Sequence, residues 1–256
     1  MPTVTLSAKV YNRFQLKFVD RFLKSMLKGL KVETKICEVS SRGLVQIAVS
    51  GEDEKIALRY LDKEIGLCPM LLEYVEKFST VKGYMASLNK KELYVDIGVF
   101  SPSTIDAAIS IERLQAQLVD GRKTASKRIA ELFGFVKNLP LTVKICSVNK
   151  GNSRVEAVLS EKQLALYRSW TKSLLDRLIV LGASFNETML SLKKARCNRD
   201  VLNIEPLGLF ENAIVCKLGT DAAGLIPKIG GKLRNANFTT FNPREIIEFL
   251  GDYLIL

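Results

Sequence analysis

The 256-residue chain contains no histidine. That removes the commonest general base and the commonest metal ligand together, and leaves any catalysis to lysine, carboxylate or thiol chemistry. Cysteine is sparse. Cys37, Cys68, Cys146, Cys197 and Cys216 are odd in number and widely spaced, with no C-x-x-C pair, which argues against a disulfide framework and a four-thiolate zinc site. No apolar run approaches the roughly 20 residues of a membrane span. The opening "MPTVTLSAKVYNRF" lacks the apolar segment of a secretory signal, so a cytoplasmic protein with no membrane partner is expected. Neither a Walker loop nor G-x-G-x-x-G occurs. The expectation is a non-catalytic protein with no cofactor and no metal.

What is present in excess is positive charge: 38 lysines and arginines against 27 acidic residues, a formal +11. Such an excess makes a polyanion the first partner to consider, because each phosphate contact releases a counterion. Divided at the boundaries argued next, residues 1–78 hold 13 basic and 10 acidic side chains, 79–162 hold 13 and 8, and 163–256 hold 12 and 9. The middle segment leads.

Hydrophobic patterning divides the chain into three. In 1–78, "TVTLSAKVY" alternates as a strand, and Asn12 can cap a helix with a stripe through Phe14, Phe18, Phe22, Met26 and Leu30, widened by Leu23 and Leu27. "ETKICEVS" and "GLVQIAVSG" then flank a turn, and "EDEKIALRYLDKEIG" reads as a second helix. This is a small split α+β layer, like half of a ferredoxin-type fold. In 79–162 strands dominate: "KGYMASLN", "ELYVDIGVF", "IDAAISIERL", "LPLTVKICSVN" and "SRVEAVLS", with one helix, "KTASKRIAELFGFV", before the fourth. Five strands interrupted there give the order of an OB barrel. In 163–256 the order is a leading helix, "SEKQLALYRSWTKSLLDR", opened by a Ser-x-x-Gln capping pattern at Ser160, then βαββαβ, the ferredoxin-like arrangement, with "DAAGLIPKIGGKL" as one of its helices.

"KGYMASLNKKELYVDIGV" resembles the first two strands of the S1 RNA-binding domain, with its aromatic-V-D-x-G signature, and "LPLTVKICSVNKGNSRVEAVLSEKQ" is similar to its closing hairpin. The resemblance implies Tyr94 as a stacking aromatic. It places Ser110 where many S1 domains have a histidine, Asn149 where they have an aspartate, and Arg154 where they have a phosphate-directed arginine. Lys91 stands near a second aromatic position. Period-2 alternation independently puts Tyr94 and Asp96 on the face opposite Leu93, Val95, Ile97 and Val99, beside the Lys90–Lys91 corner. A ring with neighbouring cations is the minimal set for single-strand binding.

Two further basic stretches are candidates. "DGRKTASKRIAEL" gathers Arg122, Lys123, Lys127 and Arg128, as phosphate contacts or as a solvated helix face. "KLGTDAAGLIPKIGGKLR" resembles the glycine turn of KH domains. Thr220 or Asp221 could cap a helix whose N–H groups receive an anion, with Lys228, Lys232 and Arg234 around it. Tight turns alone would also explain Gly230 and Gly231. Over most of its length, through "LYVDIGV", "LDRLIVLGA", "RDVLNIEPLGLFENAIVCKLGTDAAGLIPKIG" and "FNPREI", the chain resembles an archaeal family, the domain of unknown function 2110.

The resulting expectation is an α+β multidomain protein: a split α+β domain (1–78), an S1-like OB barrel (79–162) and a ferredoxin-like domain (163–256). It binds RNA, single-stranded or structured, in translation or transcription, with ribosome or RNA polymerase subunits as further partners. The alternative is an adaptor that docks such a subunit without reading RNA. An enzyme would need Asp96, Glu205 or Asp221 to converge with a lysine.

Overall fold

The computed structural model describes residues 2–101 and 103–251. Strand β1 (Thr3–Lys9) leads to helix α1 (Phe14–Met26), then to the hairpin β2 (Val32–Val39) and β3 (Leu44–Gly51), and to helix α2 (Glu54–Glu64). The sheet is antiparallel in the order β1-β3-β2, leaving β2 at an edge. The Asn12 side chain accepts from the Gln15 N–H at 3.2 Å, as a cap should. The buried stripe of α1 keeps the expected Leu23 and Leu27 but continues through Gln15 and Val19, while Phe14 is 85% exposed. Phe18, Phe22, Met26 and Leu30 only flank the core. Gln15 can enter it because its amide is satisfied at both ends, accepting from Tyr11 N–H at 2.7 Å and donating to the Gly182 carbonyl at 2.8 Å.

The middle of the chain forms a closed barrel. Its strands are β5 (Thr80–Leu88), β6 (Glu92–Ser101), β7 (Ile105–Ser110), β8 (Pro140–Asn149) and β9 (Arg154–Leu159), with the two-residue β4 (Met70–Leu71) paired outside on β6. Around the barrel the order is β5-β6-β7-β9-β8 and back to β5, antiparallel except where β7 meets β9. Leu93, Val95, Ile97 and Val99 are 0% exposed and fill the interior. Gly98, at φ +75°, sits where the β6 register slips, and a Cβ there would lie 2.5 Å from that of Cys68. The third strand ends earlier than its apolar pattern implies. Ser110 accepts from the Arg113 N–H at 3.3 Å and starts helix α3 (Ile111–Leu118), so two helices, α3 and α4 (Ser126–Phe133), precede the fourth strand.

Helix α5 (Glu161–Lys172) is capped by Ser160, which accepts from the Gln163 N–H at 3.2 Å. It leads to β10 (Arg177–Leu181), α6 (Phe185–Lys194), β11 (Val201–Pro206) and β12 (Glu211–Cys216). A short helix, α7 (Ile226–Ile229), then precedes β13 (Asn237–Phe241) and α8 (Pro243–Leu250). The sheet is antiparallel, in the order β11-β12-β10-β13. The helix expected over "DAAGLIPKIGGKL" breaks into three single turns, because Pro227 removes an N–H and Gly224, Gly230 and Gly231 weaken the rest.

The three units are fused through side chains. Tyr167, Trp170 and Phe241 join the barrel and one face of the C-terminal sheet in a common core. Phe210, just before β12, enters the N-terminal core, where it meets Phe18 edge-on at 5.3 Å.

Candidate nucleic-acid interface

The outer wall of the barrel is divided in two. On one half Asp96 is 3% exposed, covered by the turn between β2 and β3. Arg42 of that turn lies 3.6 Å from one Asp96 oxygen and also binds Asp106. The other Asp96 oxygen accepts from the Gly98 N–H at 3.0 Å. This aspartate therefore fastens the N-terminal unit to the barrel. The other half of the wall is open, and Tyr94 stands there, half-buried.

Tyr94 is not alone. Its hydroxyl donates to Glu92 Oε2 at 2.6 Å, while Glu92 Oε1 accepts from Arg154 Nη2 at 2.5 Å. Arg154 Nε lies 3.5 Å from Glu156 Oε1, and Glu156 Oε2 accepts from Ser147 at 3.2 Å and Arg113 at 3.4 Å. The hydrogen bond from Tyr94, and then those of Arg154, hold the Glu92 carboxyl below its usual range. The same bond raises the Tyr94 hydroxyl, so it remains protonated. Arg154 is thus compensated by carboxylates. Glu92, Glu156 and Arg113 were missed from sequence, although alternation puts Glu92 on the face of Tyr94 and Glu156 on that of Arg154.

The corner beside Tyr94 is built by Asn89, whose side chain accepts from the N–H groups of Lys91 and Glu92 at 2.7 and 2.8 Å. Lys90 and Lys91 are left exposed. Asn149 and Ser110 have local duties. Asn149 accepts from the Asn152 N–H at 3.1 Å in the β8–β9 turn, and the Ser110 hydroxyl is the α3 cap already described.

The basic cluster before α4 separates into two kinds of residue. Arg122 donates to the carbonyls of Phe249 and Leu250 at 2.5 and 2.6 Å, closing the C-terminus of α8. Arg128 lies 3.4 Å from Glu131 and 3.7 Å from Glu245. Lys123 and Lys127 are exposed and have no ion pair among the described residues. At the glycine turn one of the two expected capping residues serves. Asp221, not Thr220, is the cap, accepting from Ala223 and Gly224 N–H at 2.9 and 3.2 Å, so a carboxylate already occupies the place assigned to an anion. Lys228 lies 3.7 Å from Asp200, Lys232 donates to the Lys228 carbonyl at 3.4 Å, and Arg234 is exposed. The candidate acids stay apart. Asp96 meets Arg42, Asp221 caps its turn, and Glu205 accepts from Trp170 at 3.1 Å and Arg177 at 3.4 Å.

Where the three units meet there is a cleft of about 690 Å³ between α1, α2, the barrel and α5, with Lys82 and Lys162 among its polar groups. Lys82 donates to the Ile65 carbonyl at 3.0 Å, and burial lowers its ammonium pKa. Near it Glu211 is 0% exposed, accepting from the Tyr11 hydroxyl at 2.8 Å. Gly208 makes room for it, since a Cβ there would lie 2.1 Å from a Glu211 carboxylate oxygen. Burial pushes the Glu211 carboxyl up to about 7.

Among solved structures, the intact alpha subunit of aIF2 from Pyrococcus abyssi shares 9% identity, over 66% of this chain and 97% of that one, with a TM-score of 0.27. The a/eIF2alpha-aDim2p-rRNA complex from Pyrococcus horikoshii shares 10%, over 48% and 64%, at 0.27. An uncharacterized protein from Methanocaldococcus jannaschii shares 8%, over 34% and 95%, at 0.24. Likeness at this level carries no argument about function. No curated protein matches the chain. Residues 75–171 match the DUF2110 central domain and residues 175–241 the DUF2110 C-terminal domain. With more than half of its length so matched, the chain belongs to the DUF2110 family.

Proposed function

We propose that this chain is a non-catalytic RNA-binding protein of the cytoplasm, acting on ribosomal or nascent RNA in translation or transcription. The observation that carries the reading is the open half of the barrel wall, where the Tyr94 ring stands between the exposed Lys90–Lys91 corner and Arg154. Strand order supports an OB barrel of S1 type, since β5-β6-β7-β9-β8 with a parallel β7–β9 closure is the order that fold uses. The order β11-β12-β10-β13 likewise supports a ferredoxin-like C-terminal unit.

On this reading a base stacks on Tyr94, and Lys90 and Lys91 hold the adjoining phosphates. The bond to Glu92 fixes the ring before RNA arrives, which lowers the ordering cost of binding. Arg154 reaches a phosphate by exchanging Glu92 for it. Lys123 and Lys127 add sequence-independent contacts, and Arg122 and Arg128 contribute little because their guanidinium groups already have partners. Ser110 and Asn149 shape the wall rather than touch the nucleic acid. Thr220, Lys228, Lys232 and Arg234 are a weaker second candidate, with Lys232 and Arg234 its most available cations.

Titrating labelled oligouridylate against Tyr94→Ala and Tyr94→Phe tests the site. The Ala variant should lose about 1–3 kcal/mol of affinity, the worth of one base–aromatic stack. The Phe variant should keep most of it, because the ring rather than the hydroxyl does the stacking. An Ala variant that binds normally, or melts many degrees lower, would make the ring a cover for the barrel.

A further inference from the structure

Helix α1 and the edge strand β2 enclose an open groove of about 730 Å³ in the N-terminal unit. Leu16 and Ile36 contribute its apolar surface, and Lys17 and Arg21 line it with positive charge, while the Lys35 side chain, one position from Ile36, takes the other face of the sheet. Its acid, Asp20, is held by Lys24 at 2.8 Å. Lys17 and Lys35 are exposed, with no ion pair among the described residues.

Charge in this unit is segregated. Between positions 13 and 35 lie Arg13, Lys17, Arg21, Lys24, Lys28, Lys31 and Lys35, opposed only by Asp20 and Glu33. Taking these from the 13 basic and 10 acidic residues of 1–78 leaves 6 basic and 8 acidic elsewhere. The unit's whole positive excess therefore lies between positions 13 and 35, across α1, the turn after it and the start of β2. On α1 the spacing of Arg13, Lys17, Arg21 and Lys24 is that of one helix face, and all four are exposed.

The second feature is backbone. β2 pairs with β3 on one side, and among the described residues no strand pairs with its other side. An unpaired edge alternates N–H donors with C=O acceptors, the template on which an extended peptide adds as a further strand. A groove between such an edge and a helix gives the added strand a place for its side chains. Phosphate oxygens only accept, so a nucleic-acid backbone could meet the edge carbonyls through its ribose hydroxyls alone, without the regular donor–acceptor alternation of a strand.

We propose that the α1–β2 groove binds an extended acidic segment of a partner protein, added as a fourth strand beside β2, with its carboxylates toward Lys17 and Arg21. The partner's recognition element is a strand of alternating acidic and apolar residues. This goes beyond RNA binding at the barrel wall and does not depend on it.

The probe is a labelled peptide of alternating glutamate and valine, added to the full chain. It should bind more weakly as salt rises and protect amides of Val32–Val39 from hydrogen exchange. The double variant Lys17→Glu, Arg21→Glu should bind it about tenfold less tightly. The same variant should prefer a peptide with lysine in place of glutamate, a gain that general destabilisation cannot produce. Binding without protection of β2, or no gain for the lysine peptide on the double variant, would overturn the proposal. So would oligouridylate protecting the β2 amides, which would assign the groove to nucleic acid.

Discussion

The carboxylate of Glu92 holds both Tyr94 and Arg154, so a phosphate approaching Arg154 competes with an anion already in place. Glu92→Gln weakens that competition and removes a negative charge from the wall. RNA affinity should rise two- to fivefold, roughly one charge-assisted contact at an exposed site, with little change in melting temperature. A fall in affinity, measured in the titration used for Tyr94, would mean that positioning of the ring outweighs repulsion. That Tyr94 points outward was legible, because a strand's period of two needs only neighbouring residues. That Arg154 is tied to Glu92 was not, since they are 62 positions apart and meet only when the barrel closes.

Elements were readable where local chemistry decides them. The Ser160 cap, the β2–β3 turn and the alternation of β6 are local, and all are present. The α1 stripe was centred too far toward its conspicuous aromatic residues, although Leu23 and Leu27 are buried as expected. The side that is buried is chosen by the sheet and by Gly182, which holds Gln15. Arg122 is a similar case. Its spacing suggests a free cation, but its partners are the carbonyls that end α8. Arg122→Ala should therefore destabilise the fold by roughly 1–2 kcal/mol, the loss of charge-assisted hydrogen bonds at a helix end, and change RNA affinity little. Lys123→Ala with Lys127→Ala should show the opposite pattern. Thermal melts and RNA titrations on the two variants separate these roles, and equal effects on RNA binding would contradict the division.

At the scale of the whole molecule, the junction of the three units could not be seen in any one segment. Phe210 and Glu211 reach from the C-terminal unit to Phe18 and Tyr11 near the start of the chain. The Glu211 carboxyl titrates near 7 when folded and in the ordinary range near 4.5 when unfolded. Between those values the folded state holds a proton that the unfolded state has released. Stability from this group should fall as pH rises from about 4.5 to 7 and stay level above, by an amount on the order of 1–3 kcal/mol. Denaturant melts of Glu211→Gln should lack that decline, and a parallel decline in both proteins would assign it elsewhere. RNA binding also belongs to this scale, because phosphates read the protein's charge as a whole. The most direct test is the affinity of the full chain for oligouridylate over a salt series. With Lys90, Lys91, Lys123, Lys127 and Arg154 each meeting one phosphate, log affinity should fall linearly with log salt at a slope of about −3.5. No binding at low salt, or an affinity indifferent to salt, would contradict RNA recognition by this protein.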